Sequence, residues 1–215
     1  MRISPSALTL DGFRKWVKSD EFPDQARATF LNREICLDMS KEEIQTHALV
    51  KAEISRVVMN LVRESKRGQV YLDGVLVTNE KAKVSTNPDG VFVSWETLET
   101  GLARLVPQES QKKRFLEIAG IPDWLLEVVS DRSVDKDTKQ LRIAYHRARV
   151  PEYWLVDARK TQIAFQILQW RRKGYTAAAN QDGWQFSLVF DQFFRLTRSA
   201  TRMALWEYTL ETRNR

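Results

Sequence analysis

The sequence predicts an α/β fold in which a central mixed β-sheet is flanked by helices. Three observations predict it. Residues 41–65 repeat apolar side chains at helical spacing. Residues 123–130, "DWLLEVVS", form a nearly unbroken apolar run. Helical and strand patterns then alternate along the rest of the chain. A pattern whose period switches between 3.6 and 2 packs helices against a sheet.

Residues 1–40 read as an N-terminal lead-in. "TLDGFRKWVKSDEFP" has a short helical pattern, and "REICLDMS" a strand running into a cap. Residues 41–215 read as one domain ending in C-terminal strands. Ser40 with Glu43 makes a capping box, which predicts a helix over about 41–65. Val50, Ile54, Val57 and Leu61 form its buried stripe, with His47 inside the stripe and Glu53 at its edge. Gly68 is expected to end this helix. "QVYLDGVLVTN" reads as strand with Asp73-Gly74 as a turn or bulge, and "DGVFVS" (89–94) as a second strand. Residues 95–121 read as a charged connection. The run at 123–130 has the composition of a central strand covered on both faces. A helix over about 134–148 comes next, with Leu141, Tyr145 and Ala148 on its apolar side. "EYWLVD" (152–157) and "QIAFQIL" (162–168) are strands, Arg171–Gly174 a basic turn, and "GWQFSLVF" and "MALWEYTL" late strands.

The bulk numbers narrow the function classes. A chain of 215 residues fits one domain with a sizeable core. Its net charge of +6 and pI near 9.5 suit a polyanionic partner. Cys36 is the only cysteine, so no intrachain disulfide can form, as in a reducing compartment. No apolar run is long enough to span a membrane, and the N-terminus lacks a signal-peptide core. The cytoplasm is the expected setting. With one cysteine and two histidines, His47 and His146, a Cys/His zinc site lacks ligands. There is no G-x-S-x-G elbow, Walker loop or dinucleotide-binding glycine pattern.

The candidate chemistry rests on acidic residues within apolar strands. Asp89 and Glu127 sit among Val91, Phe92, Leu125, Leu126, Val128 and Val129 rather than in solvated charge runs. Buried carboxylates are costly unless something positive neutralises them. A magnesium ion uses one or two protein carboxylates and keeps its other places for water and phosphate. Asp89 and Glu127 meet that need, with the Val128 carbonyl as a third ligand. The alternatives are a turn residue for Asp89 and a salt bridge to a buried arginine for Glu127. Lys136 and Lys139 come after the Glu127 strand, where a lysine can orient a metal-bound water or stabilise phosphorane charge; otherwise both are solvated helix residues. Glu53 and His47 face either the same cleft or, respectively, the helix surface and a hydrogen-bonded pocket. Ser130 is a candidate cap for the helix after the strand. Trp124, Trp154 and Trp184 read as sheet-packing residues. Lys112, Lys113, Arg114, Arg132, Arg142, Arg147, Arg149, Arg171, Arg172 and Lys173 are candidates for tracking phosphates.

Three segments together carry a family resemblance: "PDGVFVS" (88–94), "PDWLLEVVSDRSVDKDTKQLRIAYHRARVPEYWLVDAR" (122–159) and "THALVKAEI" (46–54). They resemble the Uma-type family of restriction endonucleases, within the PD-(D/E)XK nuclease superfamily, over roughly residues 40–170. The resemblance implies a restriction-endonuclease-like core and a single nuclease-like domain over 41–215. It implies a metal-binding pair of Asp89 and Glu127, with Glu53 as the helix carboxylate that completes the site. It also implies Mg²⁺-dependent hydrolysis of DNA, with Mn²⁺ as a substitute, and a homodimer that cuts both strands. The chain departs from the pattern at the catalytic lysine. The position two after Glu127 is Val129, and the helix position four before Tyr145 is Leu141. Lys136 and Lys139 are the nearby substitutes. The alternative function is a catalytically inactive nuclease fold that binds nucleic acid or protein, and a third is cleavage of RNA.

Overall fold

The computed structural model describes residue 3 and residues 5–23, 26–108 and 111–215, without the side chains of 111 and 112. A 3-10 turn at Pro5–Leu8 precedes helix α1 (Leu10–Val17) and the hairpin β1 (Arg27–Leu31) and β2 (Glu34–Asp38). A π-turn at Ile44–Ala48 runs into α2 (Leu49–Ser65). Strands β3 (Gly68–Leu72), β4 (Leu76–Asn79), β5 (Val84–Thr86) and β6 (Gly90–Ser94) follow. Next come α3 (Trp95–Glu99), the hairpin β7 (Ala103–Gln108) and β8 (Gln111–Gly120), and β9 (Trp124–Val128). A second π-turn at Lys136–Leu141 leads into α4 (Arg142–Arg147). The chain ends with β10 (Glu152–Asp157), β11 (Ala164–Arg171), β12 (Gly174–Ala177), β13 (Asn180–Gln181), β14 (Trp184–Ser187), β15 (Gln192–Ala200) and β16 (Trp206–Asn214).

The fold is mixed α/β with three sheets. The central one has the order β12-β11-β10-β9-β6-β3, in which only β9 and β10 are parallel. A second six-stranded sheet runs β2-β1-β5-β4-β8-β7, and a four-stranded sheet runs β13-β14-β15-β16. The apolar run at β9 is covered on both faces, as its composition predicts. Trp124, Leu126 and Val128 pack with Val50, Ile54 and Val58 of α2 and with Phe194 and Leu210 of the small sheet. Leu125 and Val129 pack with Leu141, Ala144 and Tyr145 of the second helical segment and with Val77 and Ile118 of the second sheet. On the α2 side, Trp124, Trp154, Phe190 and Phe194 stack edge-to-face, the closest pair at 4.7 Å. Each such contact adds about 0.5–1.5 kcal/mol beyond burial, so this cluster anchors the small sheet.

Several expectations change in detail. Residues 41–43 precede the first long helix. Its cap is Glu43, whose carboxylate accepts from the backbone N–H of Gln45 at 2.8 Å and of Thr46 at 2.5 Å. Ser40 instead donates its backbone N–H to Asp38, so no capping box forms. The helix ends at Lys66, whose φ of 52° is left-handed. Gly68 begins a strand, and a Cβ there would lie 2.2 Å from the Val93 carbonyl, so close pairing with β6 requires glycine. The connection at 95–121 contains a helix and a hairpin rather than irregular chain, and β15 lies between the two late strands expected from the sequence. Asp73-Gly74 does form the turn between β3 and β4. In the segment expected to be a lead-in, Phe13, Trp16, Ala28 and Phe30 form a third core with Leu76. Arg14 and Lys18 bond both oxygens of the buried Glu117 at 2.6 and 2.7 Å, fastening α1 to β8. Among the described residues no helix is long and apolar enough to cross a membrane.

A candidate metal centre at the end of the central sheet

The site begins with the register of β6 against β9. Gly90 pairs with Leu126, which brings Asp89 to the strand end beside Glu127. Asp89 donates its backbone N–H to Leu126 O at 3.0 Å, and its Oδ2 accepts from Val128 N at 2.7 Å. One residue thus grips the chain on both sides of Glu127. Strand alternation turns Leu126 and Val128 toward α2 and leaves Glu127 on the opposite face. There Tyr145 of α4 donates its hydroxyl to Glu127 Oε1 at 2.6 Å. Tyr153 of β10 donates to the Asp137 carbonyl at 2.9 Å, which pins the second π-turn over the strand end. That turn supplies Lys136 and Asp137, whose Nζ and Oδ1 lie 3.2 Å apart.

The first long helix supplies the other wall. His47 Nε2 lies 3.7 Å from Asp89 Oδ2, and Lys51 Nζ lies 3.6 Å from Asp89 Oδ1. His47 Nδ1 lies 2.9 Å from Glu42. Lys51 also pairs with Glu42 and with Asp73 Oδ2.

Three buried carboxyls with raised pKa values meet in this cleft. Burial pushes the Asp89 carboxyl up, against the opposing pull of His47 and Lys51. Burial, then Asp137, pushes Glu127 well above the usual carboxylate range, with Lys136 pulling the other way. Burial also raises Asp137, despite Lys136 and Ser133 beside it. For Lys136 and Lys51, burial disfavours charge, but the surrounding carboxylates outweigh it and raise both. The three carboxyls are at most 6 % exposed. Neither oxygen of Asp137 has an aligned hydrogen-bond donor. Buried carboxyls that repel one another are the environment a hard cation stabilises.

The donors fit magnesium or manganese. The carboxylates of Asp89, Glu127 and Asp137 offer oxygen donors, and the single ammonium of Lys136 beside Glu127 and Asp137 balances only part of their charge. Among the described residues no three His, Cys, Asp or Glu side chains form a ready cage. Magnesium does not need one, because it keeps several waters and takes one or two carboxylates.

Of the residues expected from sequence, Asp89, Glu127, Val128, Lys136 and His47 line one cleft, together with Ser130, Arg132, Ser133, Asp137 and Arg27. Two do not join them. Glu53 lies on the other side of α2, accepting from Leu210 N at 2.9 Å and from Arg56 at 2.8 and 2.9 Å. Lys139 is exposed and pairs with Asp135 one turn away at 2.7 Å. Both have partners that hold them outside the cleft. Ser130 does not cap; it donates its N–H to Ser133 Oγ at 2.9 Å. Val129 and Leu141, at the positions where the resemblance expects lysine, are fully buried in the apolar core. Of the basic residues named from sequence, Arg132 lines the cleft. Arg142 bonds the Tyr175 carbonyl, and the side chain of Lys112 lies outside the described residues. Trp124 and Trp154 are core residues as expected, while Trp184 lies on the small sheet beneath Arg195 and Arg213.

Sequence reasoning missed Asp137 and Lys51. Nothing local separates Asp137 from Asp135 in "SVDKD". Lys51 carried a signal, because it stands four residues after His47 and so shares its helix face.

Comparison with known proteins bears on the fold and the family. The model of the family Uma2, described as "Putative restriction endonuclease", matches residues 11–198. A crystal structure described as a "putative nuclease belonging to DUF820", from Anabaena variabilis ATCC 29413, superposes with a TM-score of 0.57 at 18 % identity. The match covers 85 % of this chain and 90 % of that one. At that identity the likeness is one of fold, and it is the restriction-endonuclease-like fold. No curated protein matches the sequence.

Proposed function

Starting from the premise that this chain belongs to the Uma2 restriction-endonuclease family, we propose that it is a Mg²⁺-dependent endodeoxyribonuclease. It hydrolyses phosphodiester bonds of DNA, and Mn²⁺ substitutes for Mg²⁺. The observation that carries the reading is the two buried carboxyls, Asp89 and Glu127, at the ends of neighbouring strands tied by the Asp89–Val128 hydrogen bond, with the Lys136–Asp137 ion pair beside them.

Asp89, Glu127 and the Val128 carbonyl are the residues that would hold the ion. When bound, it supplies a Lewis acid for the scissile phosphate and lowers the pKa of a ligated water. The chain's own groups do the rest. The Val128 N–H and the Tyr145 hydroxyl orient the two carboxylates. Lys136, kept protonated by Glu127 and Asp137, offers a fixed positive charge to the attacking water and to the developing phosphorane. Arg27 and Arg132 at the cleft draw in the DNA backbone. The reading includes a cytoplasmic setting and pairing of two copies to cut both strands.

The test is incubation of purified protein with supercoiled plasmid and Mg²⁺ or Mn²⁺, beside an Asp89→Ala, Glu127→Ala double variant. Nicking that is lost in the variant supports the reading. Equal nicking by both sinks it.

One observation favours a second reading, a catalytically inactive nuclease fold that binds nucleic acid or protein. The two positions where the resemblance expects lysine are Val129 and Leu141, both buried in the core. DNA binding without metal-dependent cleavage of DNA or RNA would select it.

A further inference from the structure

Lys51 has no role in the proposed hydrolysis, yet it is 7 % exposed and sits among three carboxylates at the edge of the centre. Its ammonium contacts Glu42, Asp73 Oδ2 at 2.5 Å and Asp89 Oδ1 at 3.6 Å. Oxygen ligands from several carboxylates around one positive charge are what a divalent ion takes. Here the positive charge belongs to the chain.

We propose that Lys51 is the built-in second cation of this centre, occupying the place of a second metal ion and limiting the protein to one divalent ion per chain. The inference rests on the metal-centre reading.

The geometry of Asp89 carries the argument. In two-metal phosphodiester sites the ions stand about 3.5–4 Å apart and clamp the attacking and leaving oxygens. Such a pair needs a carboxylate free to bridge. Asp89 is not free: Oδ2 accepts from Val128 N at 2.7 Å, and Oδ1 faces the Lys51 ammonium. What remains serves one ion on the Glu127 side. The Lys51 side is already neutralised, with Arg27 a further 3.6 Å from Asp73 Oδ1. Each half of the cleft thus has one lysine, Lys136 beside Glu127 and Asp137, and Lys51 beside Asp89 and Asp73.

Removing the ammonium would leave Glu42, Asp73 and Asp89 facing one another with only Arg27, at the outer side of Asp73, as a counter-charge. The side chains of Glu42 and Asp73 are 35 % and 40 % exposed, so both can move to close around an ion. A divalent ion would then enter.

Mn²⁺ titration followed by electron paramagnetic resonance counts bound ions without needing activity. Wild type is expected to bind one Mn²⁺ per chain, and Lys51→Arg one. Lys51→Met is expected to bind two, close enough to give an exchange-coupled spectrum. Far-UV circular dichroism establishes that each variant is folded, and Lys51→Gln carries the same expectation as the methionine variant. Two ions in wild type, or one in a folded Lys51→Met or Lys51→Gln chain, overturns the proposal. No bound ion in wild type overturns the metal-centre reading itself and this inference with it, a result distinct from the other two.

Discussion

Asp89 Oδ2 accepts the backbone N–H of Val128 at 2.7 Å, so a carboxylate at the end of one strand grips the peptide that comes after Glu127 on the next. This bond gives Asp89 two separable roles. One is structural and needs only an acceptor oxygen. The other is electrostatic and needs the charge.

Asp89→Asn separates them. The amide oxygen still accepts from Val128, while the charge that burial disfavours is gone. Metal-free protein should melt at the same or a higher temperature than wild type. Plasmid nicking should fall by at least about a hundredfold, since losing several kcal/mol of metal-assisted stabilisation costs a decade per 1.36 kcal/mol. Thermal melts without metal and nicking rates with it give both numbers.

Metal binding should be pH-dependent and release protons. Asp89, Glu127 and Asp137 have carboxyl pKa values raised in the folded state, chiefly by burial. A raised carboxyl pKa means the folded chain holds its proton more tightly than the unfolded one. Metal-free stability from these groups is therefore greatest below the unfolded carboxyl value and falls as pH climbs through the folded values. The ion needs the deprotonated forms, so its affinity should weaken as pH drops through the same window. Calorimetry in two buffers of different ionisation enthalpy measures the released protons. Tyr145→Phe removes a hydrogen bond that favours the Glu127 carboxylate, and should move the affinity profile to higher pH.

The two candidate lysines should behave differently. Lys136 lies in the cleft beside Asp137, whereas Lys139 is exposed and pairs with Asp135. Lys136→Met should reduce nicking by about a hundredfold, the usual scale for losing one group aimed at developing charge. Lys139→Met should leave the rate unchanged. Equal loss in both variants would count against the role given to Lys136.

Glu53 should matter for stability and not for cleavage. It accepts from Leu210 N and pairs with Arg56, tying α2 to the last strand. Glu53→Ala leaves that amide without its partner, which costs about 1–3 kcal/mol. Urea unfolding should report this loss, and nicking by the folded variant should match wild type. A variant that keeps its stability but loses nicking would return Glu53 to the cleft.

The sequence by itself determined the strands that border the cleft and marked Glu127 within one of them. Apolar alternation and runs reflect burial, and an acidic residue inside such a run stands out because burying it is costly. Glu127 stood out in this way, while Asp89, just before β6 and next to Gly90, read equally as a turn residue until the fold placed it against β9. The tertiary structure decided which other charges meet them. On α2, the π-turn before Leu49 sets the helix phase, and at about 100° per residue Glu53 lies roughly 200° around from Lys51. Periodicity shows that a helix has a buried stripe, but not which neighbour covers each edge of it. Packing against the small sheet took Glu53 to Leu210, and packing against the central sheet brought His47 and Lys51 to Asp89. Likewise the Tyr153 bond to the Asp137 carbonyl folds Lys136 and Asp137 over the strand end and leaves Lys139 in solvent. Contacts between residues far apart in sequence chose those side chains, and local pattern carries no record of them.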